Sequence, residues 1–167
     1  MTSQNTPFQV LLVCTGNICR SAMAEGLLKK LLAQKKGNRI SVSSAGIAAG
    51  NGNPPSVYAA EVAEEDGVDI SRHRSRALTD QIMAGADLVL AMADMHYSWI
   101  LDMNSDYLHK TYLLKVFGRS KDIPAYRDIP DPFGGDHHIY RQCYQEITTE
   151  IKRVLPAIRK LARKKQG

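Results

Sequence analysis

Residues 8–13 are apolar on both alternate sets, Gln9 apart, which is the pattern of a strand buried on its two faces. The period then changes. Over residues 21–36, Ala24, Leu27, Leu28, Leu31 and Leu32 fall on one helical face, and Gly37-Asn38 supplies a stop. Residues 39–43 alternate and predict a second strand, so the first forty residues or so spell a right-handed βαβ unit. A second helix is expected over 56–66, ended by Gly67, and Thr79 is placed to cap another. Residues 87–92 read as a third buried strand and 93–104 as a short helix. In that helix Trp99 shares helical spacing with Met95, Ile100 and Met103 and is expected in the core. Residues 112–117 read as a fourth strand. Residues 138–164 carry a long stripe (Ile139, Cys143, Ile147, Ile151, Val154, Ile158) that predicts a helix, kinked at Pro156, with Cys143 as inert core.

This order predicts an α/β fold: a doubly wound, four-stranded parallel sheet with helices on both faces. No internal repeat or linker is visible, so residues 1–167 are expected to be one domain with a flexible N-terminus over 1–7. Such sheets bind ligands at the carboxyl edge of their strands. That directs attention to the end of the first strand and to residues 118–136, an aperiodic stretch of a length that tends to be functional.

The first strand stops at Cys14. Thr15, Gly16, Asn17, Ile18 and Cys19 follow, and Arg20-Ser21 opens the helix. A tight loop between a strand and a helix N-terminus makes an anion site, because loop N–H groups and the helix dipole both favour negative charge. A cysteine at such a site is expected to have a thiol pKa lowered from about 8.5. Arg20 can hold two phosphate oxygens with parallel bonds, as lysine cannot. Gly16 permits close backbone approach, Asn17 tolerates a left-handed backbone, and Ser21 can donate to the Cys14 sulfur. The chemistry expected is attack of Cys14 on phosphorus, giving a phosphocysteine that water hydrolyses. A phosphoester also needs a proton for its leaving oxygen. Asp131, fixed between Pro130 and Pro132, is the expected general acid. Asp128 is the competing choice, and Asp and Pro also favour plain turns.

Composition adds limits. The chain has 22 Lys+Arg against 17 Asp+Glu, a formal charge of +5, but much of the excess lies in the C-terminal helix as a solvated end. No aromatic–basic platform points to nucleic acid, and no apolar run is long enough to span a membrane. Three cysteines suit a reducing compartment, so a cytoplasmic, monomeric protein is expected. No metal or other cofactor is implied, since His137-His138 lacks a ligand cluster.

The string Cys14-Thr15-Gly16-Asn17-Ile18-Cys19-Arg20-Ser21, followed by Met23-Ala24-Glu25, resembles the active-site loop of the low-molecular-weight protein tyrosine phosphatases. The resemblance implies Cys14 as nucleophile, Arg20 as phosphate ligand and Asp131, in Asp131-Pro132-Phe133, as general acid and base. It implies Phe133 as a cleft wall, Ser44 as a hydrogen-bond partner of Asn17, and His73 as a buttress of the loop; a turn serine and a solvated loop histidine are the alternatives. The family usually has proline where this chain has Ala22, and eukaryotic members have a tryptophan wall near Gly50-Asn51-Gly52. Ala86 to Met92 and the Asp131–Gly135 stretch resemble a bacterial branch that includes protein-arginine phosphatases. Arginine-specific members carry threonine where this chain has Ile18, which favours phosphotyrosine, on proteins phosphorylated by a cognate tyrosine kinase. The resemblance also implies that Cys19 can form a protective disulfide with Cys14. Arsenate reductase shares fold and loop but needs resolving cysteines that the chain lacks between Cys19 and Cys143. A phosphate-binding module needs neither Cys14 nor Asp131.

Overall fold

The computed structural model describes residues 6–35, 37 and 39–167. Most of the N-terminal segment expected to be flexible lies outside the described residues, as do Lys36 and Asn38 at the expected end of the first helix.

Four strands, β1 (Phe8–Cys14), β2 (Ile40–Gly46), β3 (Leu88–Ala91) and β4 (Thr111–Leu113), form a parallel sheet in the order β2-β1-β3-β4. The α-helices are α1 (Arg20–Ala33), α2 (Val57–Glu64), α3 (Asp80–Gly85), α4 (Asp94–Met103) and α5 (His137–Gln166). β1 is central and divides its side chains by period 2. Phe8, Val10, Leu12 and Cys14 join the core made with α1, α2 and α5, whereas Leu11 and Val13 join a smaller core with Met83, Ile100 and Tyr107 on the opposite face. Both faces are therefore covered, as the doubly wound pattern requires.

Three details differ from the sequence reading. β4 ends at Leu113 instead of continuing through residue 117. Val116 and Phe117 donate their N–H groups back to the Leu113 carbonyl at 3.0 and 2.9 Å, a turn that buries both Leu114 and Phe117 without a strand. A 3₁₀ turn, Ser105–Lys110, precedes β4 and was not foreseen. Trp99 is 38% exposed and Met95 57% exposed; α4 instead buries His96 and Ile100. The buried face is rotated by one residue, because His96 has a polar partner inside the fold. Thr79 caps α3, accepting from the Ile82 N–H at 3.2 Å, and α5 runs as one helix through Pro156.

Candidate active site

Cys14 is the last residue of β1, and the five residues after it lead to Arg20, the first of α1. The loop is tied down from below. The Cys14 and Thr15 carbonyls accept from the N–H groups of Ile47 and Ala48, both at 3.0 Å, just past the end of β2. Gly46 is needed there, since a Cβ would overlap the Thr15 carbonyl oxygen. The Ile18 carbonyl accepts from the Ser56 N–H at 2.9 Å, fixing the loop to the start of α2.

Asn17 lies at the centre of the support. Its φ is 56°, in the left-handed region that Asn tolerates. Its amide donates to Ser21 Oγ and Ser44 Oγ, both at 2.8 Å, and its Oδ1 accepts from the Arg76 N–H at 3.0 Å. Its carbonyl accepts from His73 Nε2 at 2.6 Å. Ser21 Oγ lies 2.9 Å from Cys14 Sγ; because it accepts from Asn17, its hydrogen is available to the sulfur. Ser44 donates to Glu25, whose carboxylate also faces His73 Nδ1 at 3.6 Å and Lys29 Nζ at 2.6 Å. Burial alone would raise the Glu25 pKa, but the hydrogen bonds from His73, Lys29 and Ser44 outweigh it and hold the carboxyl at about 2. Structure thus brings Ser44 and His73 to the loop and adds Glu25, which no sequence signal had given a role.

Arg20 is 4% exposed and fully directed: Nη1 donates to the Ile129 carbonyl at 3.0 Å, and Nη2 stands 3.3 Å from Asp131 Oδ2 and 3.4 Å from Thr15 Oγ1. Ile129 is itself buried and donates to the Met92 carbonyl at 2.7 Å, just past β3. The long 118–136 loop is therefore pinned two residues before Asp131, which brings that carboxyl to Arg20 although it stays half exposed. Asp128 is used elsewhere: its Oδ1 accepts the Asp94 N–H at 2.8 Å at the start of α4. Cys14, Thr15, Gly16, Ile18, Cys19, Arg20, Asp131 and Phe133 line one pocket of about 200 Å³.

Two further side chains reach the loop. The Cys19 thiol sits 3.3 Å from both Ser56 Oγ and Tyr140 Oη; burial raises its pKa, and those two hydrogen bonds oppose the rise. His96, wholly buried, places Nε2 2.8 Å from Thr15 Oγ1. Sequence reasoning missed it because it looked for the apolar face of α4. Cys143 does not line the pocket; it is buried with its Sγ 3.6 Å from the Pro130 carbonyl, and burial pushes its thiol up to about 12.

A strand, an anion-cradling loop and a helix N-terminus holding cysteine, arginine and aspartate around one pocket suit phosphoryl transfer through sulfur. The family model described as low molecular weight phosphotyrosine protein phosphatase matches residues 9–166. The chain is 38% identical over 148 residues to a protein-arginine-phosphatase of Geobacillus stearothermophilus, covering 89% of this chain and 94% of that one. It is 34% identical over 145 residues to the low molecular weight protein-tyrosine-phosphatase Etp of Escherichia coli K12, covering 86% and 95%. The solved low molecular weight protein tyrosine phosphatase of T. tengcongensis superposes with a TM-score of 0.81 at 36% identity, over 90% of this chain and 99% of that one. Among the described residues no helix is long and apolar enough to cross a membrane. The chain belongs to the low molecular weight phosphotyrosine protein phosphatase family and is a cysteine-dependent phosphatase.

Proposed function

We propose that the chain hydrolyses phosphotyrosine in proteins, with Cys14 as nucleophile, Arg20 as phosphate ligand and Asp131 as general acid and then base. The observation that carries this reading is the shared pocket, lined by Cys14, by Arg20 and Asp131 standing 3.3 Å apart, and by the apolar Ile18 and Phe133. The dianionic phosphoryl group takes the Arg20 donors and the loop, which releases the Asp131 carboxyl from the guanidinium. Cys14 attacks phosphorus in line as a thiolate, steadied by the Ser21 hydroxyl. The P–O bond breaks, and the Asp131 carboxyl protonates the leaving phenolate. The resulting carboxylate then takes a proton from water, which attacks the phosphocysteine; inorganic phosphate leaves and the thiolate is regenerated.

Ile18 supports the phosphotyrosine assignment. It is apolar and half buried in the pocket wall, so it packs on a ring and offers no hydrogen bond to a guanidinium or to water. The second reading, a protein-arginine phosphatase acting by the same steps, is favoured by the Geobacillus relative. The substrate class brings a tyrosine kinase as the upstream partner. The reading takes the protein as a monomer, and its three free thiols fit the reducing cytoplasm. Cys19, next to the phosphate ligand, is the resolving thiol that would protect oxidised Cys14 as a disulfide.

The test is hydrolysis of a tyrosine phosphopeptide and a phosphoarginine peptide in parallel, without added metal, by the wild type and Cys14→Ser. Faster turnover of the tyrosine peptide, abolished in the variant, is expected. Preference for phosphoarginine keeps the mechanism and overturns the assignment from Ile18. Binding without turnover on either peptide overturns both.

A further inference from the structure

His96 and Thr15 form a contact that the steps above leave unused. Thr15 Oγ1 carries one hydrogen and two acceptor lone pairs. Arg20 Nη2, at 3.4 Å, can only donate to it. His96 Nε2, at 2.8 Å, can donate or accept, depending on which ring nitrogen bears the hydrogen. The tautomer of His96 therefore decides where the Thr15 hydrogen goes.

The other ring nitrogen settles the tautomer. His96 Nδ1 is buried and has no hydrogen-bond partner among the described residues. A hydrogen on Nδ1 would be an orphaned buried donor, which folded proteins avoid more strictly than a bare acceptor. Protonation of both nitrogens is opposed as well: burial first, then the neighbouring Arg20, hold the His96 pKa down at about 4. The hydrogen therefore sits on Nε2 and points at Thr15. Arg20 and an Nε2-protonated His96 can both only donate, so neither offers an acceptor and the Thr15 hydroxyl must give its own hydrogen elsewhere. Thr15 lines the same pocket as Cys14, Arg20 and Asp131.

We propose that His96 is a positioning residue whose Nε2–H donates to Thr15 Oγ1 and thereby turns the Thr15 hydroxyl hydrogen toward a non-bridging oxygen of the substrate phosphoryl group, making Thr15 a side-chain donor in the cradle. This rests on the phosphatase reading above for the identity of the acceptor.

Two measurements test it. The first is the imidazole ¹⁵N spectrum of the wild type near neutral pH, which reads the tautomer without any turnover. An Nε2–H signature for His96 is expected, and an Nδ1–H signature overturns the proposal. The second is a double-mutant cycle on the peptide the wild type prefers, with inorganic phosphate as competitive probe. Thr15→Val should lower kcat/KM roughly tenfold or more and weaken phosphate, as loss of a hydrogen bond to a charged group does, and Thr15→Ser should restore both. His96→Leu should lose several-fold, and His96→Gln, which keeps an N–H near the Nε2 position, should recover most of it. Thr15→Val/His96→Leu should be no worse than Thr15→Val alone, because one residue acts through the other. Additive losses overturn the proposal. If His96→Leu does not fold, the spectrum and the Thr15→Val against His96→Gln pair still decide it. Were neither peptide hydrolysed, the phosphatase reading would fail separately, while the spectrum and the phosphate affinities would still report on His96 and Thr15.

Discussion

Replacing Asn17 by alanine removes the point where the phosphate loop is joined to β2, α1 and the segment around residue 73. Three side-chain hydrogen bonds disappear: those to Ser21 and Ser44 and that from the Arg76 N–H. Each contributes about 1 kcal/mol net, with more at risk at Arg76, whose N–H loses that acceptor. Alanine must also hold the φ of 56° that Asn tolerates, at about 1 kcal/mol. Together the loss is about 4 kcal/mol, a large share of the 5–15 kcal/mol typical of such folds. For a chain of this length it corresponds to a fall in Tm of roughly 8–16 °C. Urea and thermal unfolding of the wild type and Asn17→Ala measure it, and Asn17→Asp should fall between them in stability because it keeps the Arg76 bond. Activity should fall with the loop's order, and Asn17→Asp should weaken phosphate further through its added charge. A loss below about 1 kcal/mol with unchanged kcat would refute the reasoning that this side chain organises the loop.

Glu25→Gln should destabilise the protein at pH 7. The carboxyl is held at about 2 against an unfolded value near 4.5, so the carboxylate's contribution is present above 4.5 and lost as pH falls through about 2. Urea unfolding across that window should show the gap between wild type and variant closing, and a gap independent of pH would contradict it. Asp131→Asn should cut kcat on a tyrosine phosphopeptide about 10²-fold or more, but cut turnover of p-nitrophenyl phosphate less, because that leaving group needs a proton less. Equal losses would remove Asp131 as the acid. On α4, Trp99→Ala should cost less in denaturant titrations than Ile100→Ala, which empties a buried site for about 2–5 kcal/mol; the reverse order would contradict the observed helix face.

What could be read in the chain was whatever a local pattern carries. The switch from a two-sided apolar strand to a polar loop and then to a helix places Cys14 and Arg20 together without knowledge of the rest. Asp131 was legible for a different reason, since flanking prolines and the need for a proton donor mark it. Its actual placement depends on Ile129 pairing with Met92 and Arg20, contacts across the sheet edge that no window of sequence contains. Glu25 and His96 were missed because each is a polar residue turned inward onto a partner distant in sequence, His73 and Thr15 respectively. On α4 the apolar residues Met95 and Trp99 suggested one face, while the buried pair His96 and Ile100 lies one residue further round. β4 failed as a periodicity reading because Leu114 and Phe117 are buried by a turn at spacing three, which alternating hydrophobicity does not describe.

The central claim is that phosphate passes through the Cys14 sulfur. The direct measurement is acid quench of Asp131→Asn during turnover of p-nitrophenyl phosphate, followed by mass mapping of the cysteine peptides; the variant lacks the base that activates water, and this leaving group departs with little need of the acid. A phosphoryl group on Cys14, absent from Cys19 and Cys143 and absent in Cys14→Ser, is the predicted result. Turnover with no phosphorylated cysteine at any time point would contradict the account.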